Sequence, residues 1–158
     1  MTIRPLRDAD VEACAALLQR IPLWARYRIT PEAARAVFAR ALDGASCALV
    51  AEDAGRVVGF VEYTLRGTFG HSGYVRAVGV APEAQGRGVG TRLMDAAEEA
   101  IFRSGPNVFL LVAAFNTGAQ RFYERRGYRR IGEIPDYVMP GITEILYRKT
   151  LGPSGAGS

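Results

Sequence analysis

Apolar and polar residues recur along the chain with two periods, and each period predicts its own kind of element. Alternating or continuous runs of β-branched and aromatic residues predict seven strands, over residues 2–6, 47–52, 56–66, 74–81, 107–113, 128–134 and 144–151. Apolar residues spaced by three or four positions predict four helices, over 8–21, 31–42, 89–104 and 117–126. The order βααβββαβαββ predicts an α+β fold, in which helices cover both faces of a central, mixed and twisted sheet.

Length and composition fit one domain. The chain has 158 residues, 49% of them hydrophobic, and this predicts a single domain over residues 1–151. Residues 152–158 are small and polar, so a disordered tail is predicted there. No apolar run reaches the length of a membrane span, and no export signal is recognised. We therefore expect no membrane association.

Net charge and cysteine content limit the kinds of ligand and metal that the chain is expected to bind. The net charge of +4 suits an anionic ligand, but the basic cluster at Arg125, Arg126, Arg129 and Arg130 has no nucleic-acid-binding pattern around it. A solvated patch facing a cofactor is expected there, and no nucleic-acid partner. Cys14 and Cys47 have neither the spacing of a disulfide framework nor that of a zinc site. No metal is expected, and the reducing cytoplasm is the expected compartment.

A glycine-rich stretch lies between the fourth predicted strand and the helix that follows. Its sequence is Gln85-Gly86-Arg87-Gly88-Val89-Gly90. Backbone N–H groups at a helix start have no internal partner and point outward, and glycine lets a phosphate approach them closely. The Gln85 and Arg87 side chains can add donors. The pattern predicts an anion site.

Spacing excludes two other kinds of phosphate loop. A dinucleotide fingerprint needs a third glycine where Thr91 or Leu93 stands, and a triphosphate loop needs a lysine that this stretch lacks. A glycine-rich turn that binds no ligand remains an alternative.

The chain resembles the GNAT superfamily of N-acetyltransferases at two signatures. Gln85, Gly88 and Gly90 match the acetyl-CoA loop pattern Gln/Arg-x-x-Gly-x-Gly/Ala. The downstream pattern Asn-x-x-Ala-x-x-Phe-Tyr-x-x-x-Gly-Phe/Tyr is matched by Asn116, Ala119, Phe122, Tyr123, Gly127 and Tyr128. Both occur in the family's order and at its usual separation, so the resemblance implies the GNAT fold and acetyl-CoA as cosubstrate.

The resemblance also implies which residues contact acetyl-CoA. They are Val78, Gly79 and Val80 on the fourth strand, Gln85, Gly86, Arg87, Gly88, Val89, Gly90 and Thr91 in the loop, and Asn116 and Tyr123 downstream. Backbone groups at Val78 and Val80 would hold the pantetheine arm between splayed strands, and the amides of residues 86–91 the pyrophosphate. The N–H of Val78 would donate to the developing oxyanion.

Acetyl transfer to an amine needs a base for the amine and a proton for the departing thiolate. A phenol is a weaker acid than a thiol, so Tyr123 can share its proton with the sulfur; the alternative is that Tyr123 only packs in the core. Glu62 is the candidate base, because Val58, Phe60, Glu62 and Thr64 share one face of a strand and place a carboxylate among apolar side chains. A solvent-exposed strand glutamate is the equal alternative. His71, Asp136 and Tyr137 are weaker candidates.

The predicted function is acetyl transfer from acetyl-CoA to a primary amine by direct attack in a ternary complex, since neither cysteine lies in the cofactor elements. A small amine or amino-acid derivative is favoured as acceptor. The alternatives are a protein or peptide N-terminus, a lysine, and a non-catalytic sensor of acyl-CoA. A homodimer is a further expectation.

Overall fold

A computed structural model describes residues 1–155 of the chain. Seven strands form one sheet in the order β1-β2-β3-β4-β5-β7-β6. The strands are β1 (Thr2–Pro5), β2 (Cys47–Asp53), β3 (Arg56–Thr68), β4 (Ser72–Val80), β5 (Asn107–Ala113), β6 (Arg129–Pro135) and β7 (Thr143–Thr150). The helices are α1 (Val11–Arg20), α2 (Pro22–Arg26), α3 (Pro31–Leu42), α4 (Val89–Ser104) and α5 (Thr117–Arg125). The predicted α+β fold with a mixed seven-stranded sheet is confirmed.

The chain forms two compact units, each with its own internal contacts. The first contains Met1–Thr64 and Val75–Ala100, and the second contains Leu65–Tyr74 and the described residues from 101 to 155. The expected single domain over residues 1–151 stays a prediction. No helix within residues 1–155 is both long and apolar enough to cross a membrane.

Helices cover both faces of the sheet in the first unit. On one face of β3, the Phe60 ring packs edge-on against Phe38 of α3 at 5.0 Å, and it lies 5.9 Å from the tilted ring of Trp24 in α2. On the other face, a Cβ at Gly59 would lie 3.0 Å from side-chain atoms of both Val89 and Leu93 in α4. Apolar side chains thus fill both sides of β3, and burial of this kind is the main favourable term in folding.

The beginning of the first unit contains a helix that the sequence did not predict. Asp10 organises the start of α1, because its carboxylate accepts the Arg7 N–H at 2.8 Å and two hydrogen bonds from Arg4. No helix was predicted between residues 21 and 31, but Pro22 begins α2 there. Its fixed φ and missing N–H suit the first position of a helix, so the order contains one more helix than predicted.

The second unit is built on β5, β7 and β6. β7 pairs antiparallel with β5 on one side and with β6 on the other. Helix α5 is joined to β7 by a hydrogen bond from the Tyr147 hydroxyl to Glu124. At the start of β5, the Asn107 amide donates to Gly152 O and Ser154 Oγ. Residues 156–158, the end of the predicted tail, lie outside the described residues.

Candidate functional site

The glycine-rich stretch connects β4 to α4 and exposes a row of backbone donors. Gly86 and Gly88 have φ of +76° and +79°, which L side chains rarely adopt. The first helical bond of α4 runs from the Arg92 N–H to Gly88 O. Within the described chain, the N–H groups of residues 86–91 donate to no backbone carbonyl. The first turn of α4 carries no acidic side chain, so nothing there opposes the binding of an anion.

Local bonds fix this stretch at the end of β4. The Ala81 N–H donates to Val58 O at 2.8 Å, and a 3-10 turn over Pro82–Ala84 follows directly. The Gln85 side chain donates to Val80 O at 3.4 Å. Arg87 pairs with Asp53 at 2.9 Å, and the guanidinium lowers the pKa of that carboxyl. The two side chains that were expected to add donors are thus engaged with the protein.

Glu62 is buried on β3, which decides between the two equal expectations for this residue. Its side chain has no solvent exposure, and both carboxylate oxygens lack a hydrogen-bond partner among residues 1–155. The alternative of a solvent-exposed glutamate is therefore wrong.

Arg76 on β4 is the nearest cation to Glu62. Its Nη1 lies 3.9 Å from Glu62 Oε1, which is within ion-pair range and too far for a hydrogen bond. On the same face, a Cβ at Gly79 would come within 2.6 Å of the Phe60 ring. Strict alternation would put residues 76 and 79 on opposite faces of β4. The alternation of β4 therefore shifts by one residue between Arg76 and Gly79.

This shift affects the stretch that contains Val78, Gly79 and Val80. These three residues are the last of β4 and lead into the glycine-rich stretch, as predicted. Gly79 has no room for a side chain, since Phe60 and Ile21 fill the adjacent space. Arg76 is not among the site residues predicted from the sequence. The only available signal was a charged residue interrupting the apolar run of β4.

Asn116 and Tyr123 belong to the second unit, on α5. Asn116 is the N-cap, and its side-chain oxygen accepts the Ala119 N–H at 3.2 Å. Tyr123 packs edge-on between Phe122 at 5.1 Å and Tyr128 at 5.5 Å. The contacts orient the Tyr123 ring on α5.

The weaker candidates have structural roles or exposed positions. Burial raises the pKa of the Cys14 thiol to about 12, so Cys14 is a neutral core residue rather than a nucleophile. Burial also raises the pKa of Cys47. Asp136 has a φ of +54° and accepts the Gly141 N–H, which makes it a turn residue between β6 and β7. His71 is exposed in the β3–β4 turn, and Tyr137 is also exposed.

An open groove of about 420 Å³ lies in the first unit, beside α1 and the β2–β3 turn. Its lining includes Ala13, Leu17, Arg20 and Glu83, and the Arg20–Glu83 ion pair lies at its edge. None of the predicted site residues lines this groove.

Comparison with known proteins identifies the family. Residues 12–128 match the model of the acetyltransferase (GNAT) family, which is more than half of the chain. The chain belongs to the GNAT family of acetyltransferases. This result confirms the resemblance that the two sequence signatures indicated, and with it the assignment to the acyltransferases.

Individual relatives agree with this assignment. The chain is 36% identical over 106 residues to an N-acetyltransferase of Methanocaldococcus jannaschii whose role is uncharacterised, and the match covers 66% of each protein. Two solved structures share the fold. The ribosomal-protein-alanine N-acetyltransferase of Brucella melitensis is 24% identical, with a TM-score of 0.78 over 96% of this chain and 100% of the other. YncA of Salmonella typhimurium, solved with acetyl-CoA, is 19% identical, with a TM-score of 0.79 over 99% and 97%.

Proposed function

We propose that this protein transfers the acetyl group of acetyl-CoA to a primary amine by direct attack in a ternary complex. The observation that carries the proposal is the row of backbone N–H groups over residues 86–91, which have no backbone acceptor in the described chain. Such a row at a helix start fits a pyrophosphate. Family membership then favours acetyl-CoA over other phosphate-bearing ligands.

The proposed cosubstrate contacts follow from the loop and from β4. The amides of residues 86–91 hold the pyrophosphate, and backbone groups of Val78, Gly79 and Val80 hold the pantetheine arm and the thioester carbonyl. Acetyl-CoA supplies an activated acetyl group. Because Gln85 and Arg87 are engaged with the protein, we assign them the task of holding the loop rather than that of direct donors. Asn116 acts by starting α5 through its cap.

Two side chains carry the proposed proton transfers. Glu62 accepts the proton that the acceptor ammonium must lose before its nitrogen can attack, directly or through water. The Val78 N–H stabilises the negative charge that develops on the carbonyl oxygen. As the carbon–sulfur bond breaks and the nitrogen–carbon bond forms, Tyr123 shares its phenolic proton with the thiolate. The attacking nitrogen gives its second proton to the Tyr123 phenolate, directly or through water. The products are then a neutral amide and the CoA thiol, the one released proton is held by Glu62, and no covalent acyl-enzyme forms.

A small amine or amino-acid derivative is the proposed acceptor. The runner-up is a protein N-terminus or lysine, since the Brucella melitensis neighbour is named for a ribosomal-protein alanine. A silent acyl-CoA sensor is the remaining alternative, and it would not need the hydroxyl of Tyr123. Cytoplasmic localisation and a homodimer stay predictions from the sequence.

Incubation with labelled acetyl-CoA tests the proposal. The purified protein would be mixed with a panel of amines, amino acids, peptides and proteins, and free CoA and acetylated products would be measured by mass spectrometry. We expect one molecule of free CoA for each molecule of N-acetylated product. Binding of acetyl-CoA without transfer to any acceptor would favour the sensor and refute the enzyme.

A further inference from the structure

Glu62 and Arg76 form an ion pair in which neither side chain makes a hydrogen bond within the described chain. The Glu62 carboxylate is fully buried, and the Arg76 side chain is 46% exposed, with Nη1 3.9 Å from Glu62 Oε1. An arginine beside a carboxylate ordinarily closes to a bidentate pair with donor–acceptor distances below about 3 Å. Here both carboxylate oxygens of Glu62 lack a hydrogen-bond partner in the described chain, and the Arg76 guanidinium stays beyond hydrogen-bond distance of them.

Two hydroxyl groups extend this cluster along β2 and β3. Thr64 shares the strand face of Glu62, and its Oγ1 is buried without a partner in the described chain. Cys47 pairs with Tyr63, so the next residue back, Ser46, comes beside Thr64; its Oγ is also buried without a partner. Buried polar groups are normally hydrogen-bonded to protein, to water or to a ligand. Continuing the β2–β3 register by one pair places both hydroxyls on the strand face of Glu62, and Arg76 is within ion-pair range of that carboxylate.

We propose that this cluster binds the acceptor as a zwitterion, with the ammonium group on Glu62 and a carboxylate on Arg76. The inference rests on the proposed function and names the acceptor class: a free α-amino acid or a close analogue. An ammonium group has three donors, which Glu62 and the Thr64 and Ser46 hydroxyls accept. One carbon atom separates the ammonium and carboxylate groups of an α-amino acid, which matches two oppositely charged groups lying side by side.

The difference in burial between Glu62 and Arg76 sets the orientation of the bound acceptor. The fully buried carboxylate takes the reacting nitrogen, and the half-exposed guanidinium takes the acid group nearer to solvent. A peptide N-terminus offers an amide carbonyl where the free amino acid has its carboxylate, and a simple amine offers nothing. Arg76 therefore selects against both, because its guanidinium would lose water without gaining an anion.

The test compares three matched acceptors: a free L-amino acid, its carboxamide and its decarboxylated amine. The free amino acid that is acetylated fastest in the panel would be chosen, together with its own carboxamide and decarboxylated amine. For each of the three, kcat/KM would be measured by CoA release. In the wild type we expect the free acid to exceed both partners by roughly 10- to 100-fold, the range of one charge-assisted hydrogen bond. Arg76→Gln should abolish this preference and leave the KM for acetyl-CoA unchanged. Arg35→Gln, which removes an exposed guanidinium paired with Glu12, should keep it.

The contrary outcomes separate this inference from the proposed function. Equal acetylation of acids, carboxamides and simple amines by the wild type would overturn the zwitterion site and leave the acetyltransferase standing. A preference that survives Arg76→Gln, or a variant whose only change is a higher KM for acetyl-CoA, would overturn the role of Arg76. Failure of every acceptor would overturn both. Thermal unfolding of the two variants checks that each is folded.

Discussion

Tyr147 donates its phenolic hydrogen to Oε1 of Glu124 over 2.8 Å, and this bond joins β7 to the helix that carries Tyr123. Glu124 is the next residue after Tyr123, so the orientation of α5 depends on a buried tyrosine of the neighbouring strand. Burial and the bond to Glu124 together raise the pKa of Tyr147 to about 12.

Tyr147→Phe should therefore lower the free energy of unfolding by about 1 kcal/mol at neutral pH, since one hydrogen bond to a charged group is lost. The raised pKa means that the native state holds the proton more tightly than the unfolded chain. The stabilising contribution of the Tyr147 hydroxyl is complete below the ordinary tyrosine pKa of 10 and is lost as pH rises towards 12. Denaturant unfolding of wild type and variant across this pH range measures this contribution. The exposed Tyr137→Phe should change little; equal behaviour of the two variants would contradict the role of the Glu124 bond.

Tyr123→Phe should reduce kcat by about 100-fold, the lower range for loss of a general acid, while acetyl-CoA affinity changes little. The ring contacts with Phe122 and Tyr128 do not require the hydroxyl, so the fold should persist. Steady-state kinetics and calorimetric titration with acetyl-CoA separate the two effects. Wild-type turnover in the variant would leave Tyr123 a packing residue only.

Glu62→Gln should lower kcat/KM by about 100-fold and remove the acidic limb of its pH profile, because the amide cannot accept the proton of the ammonium. The exposed Glu32→Gln serves as a control for loss of one carboxylate. An unchanged profile in Glu62→Gln would direct the search for the base to water.

Gly88→Ala should raise the KM for acetyl-CoA by roughly 10-fold, because the methyl group strains the loop whose amides we assign to the pyrophosphate. Gly44 provides a matched control, since its φ is +86° and a Cβ there would also enter open space. Both alanine variants should lose about 1 kcal/mol of stability from the positive φ. Only Gly88→Ala should raise the KM for acetyl-CoA. An equal rise in Gly44→Ala would refute the assignment of the loop amides to the pyrophosphate.

Asp10→Asn should destabilise the fold by roughly 1–3 kcal/mol at pH 7, because Asp10 accepts a bidentate pair from Arg4 and the Arg7 N–H. The Arg4 bond is the main cause of the lowered pKa of Asp10. A lowered pKa stabilises the fold fully above the unfolded value of 3.8, and this contribution is lost as pH falls towards the lower folded value. The difference between variant and wild type, followed by urea unfolding, should therefore shrink in acid. A constant difference would contradict this linkage.

The fold was largely readable from local patterns, because strands and helices have different apolar periods and the glycine loop has few structural solutions. The burial of Glu62 was one of two equal expectations, because the apolar neighbours Val58 and Phe60 do not show which face of the strand is covered. By contrast, α2 was missed because Pro22 both ends one helix and starts another, and the sequence does not say which effect prevails. Arg76 was missed because its proximity to Glu62 depends on a shift in strand alternation. Such a shift is a property of pairing between strands and leaves no period in one segment.

Gly59 allows the first turn of α4 to lie directly on β3. An added Cβ would lie 3.0 Å from Gly79 O, Val89 Cγ1 and Leu93 Cδ1 at once. Two of these atoms belong to the helix that begins within the glycine loop, and the third belongs to β4, the strand that leads into the loop. The distance between the start of α4 and the sheet therefore depends on the absence of one methyl group, at a residue outside the proposed ligand contacts. A search for variants with altered cosubstrate affinity should include position 59, well outside any contact shell drawn around the phosphates.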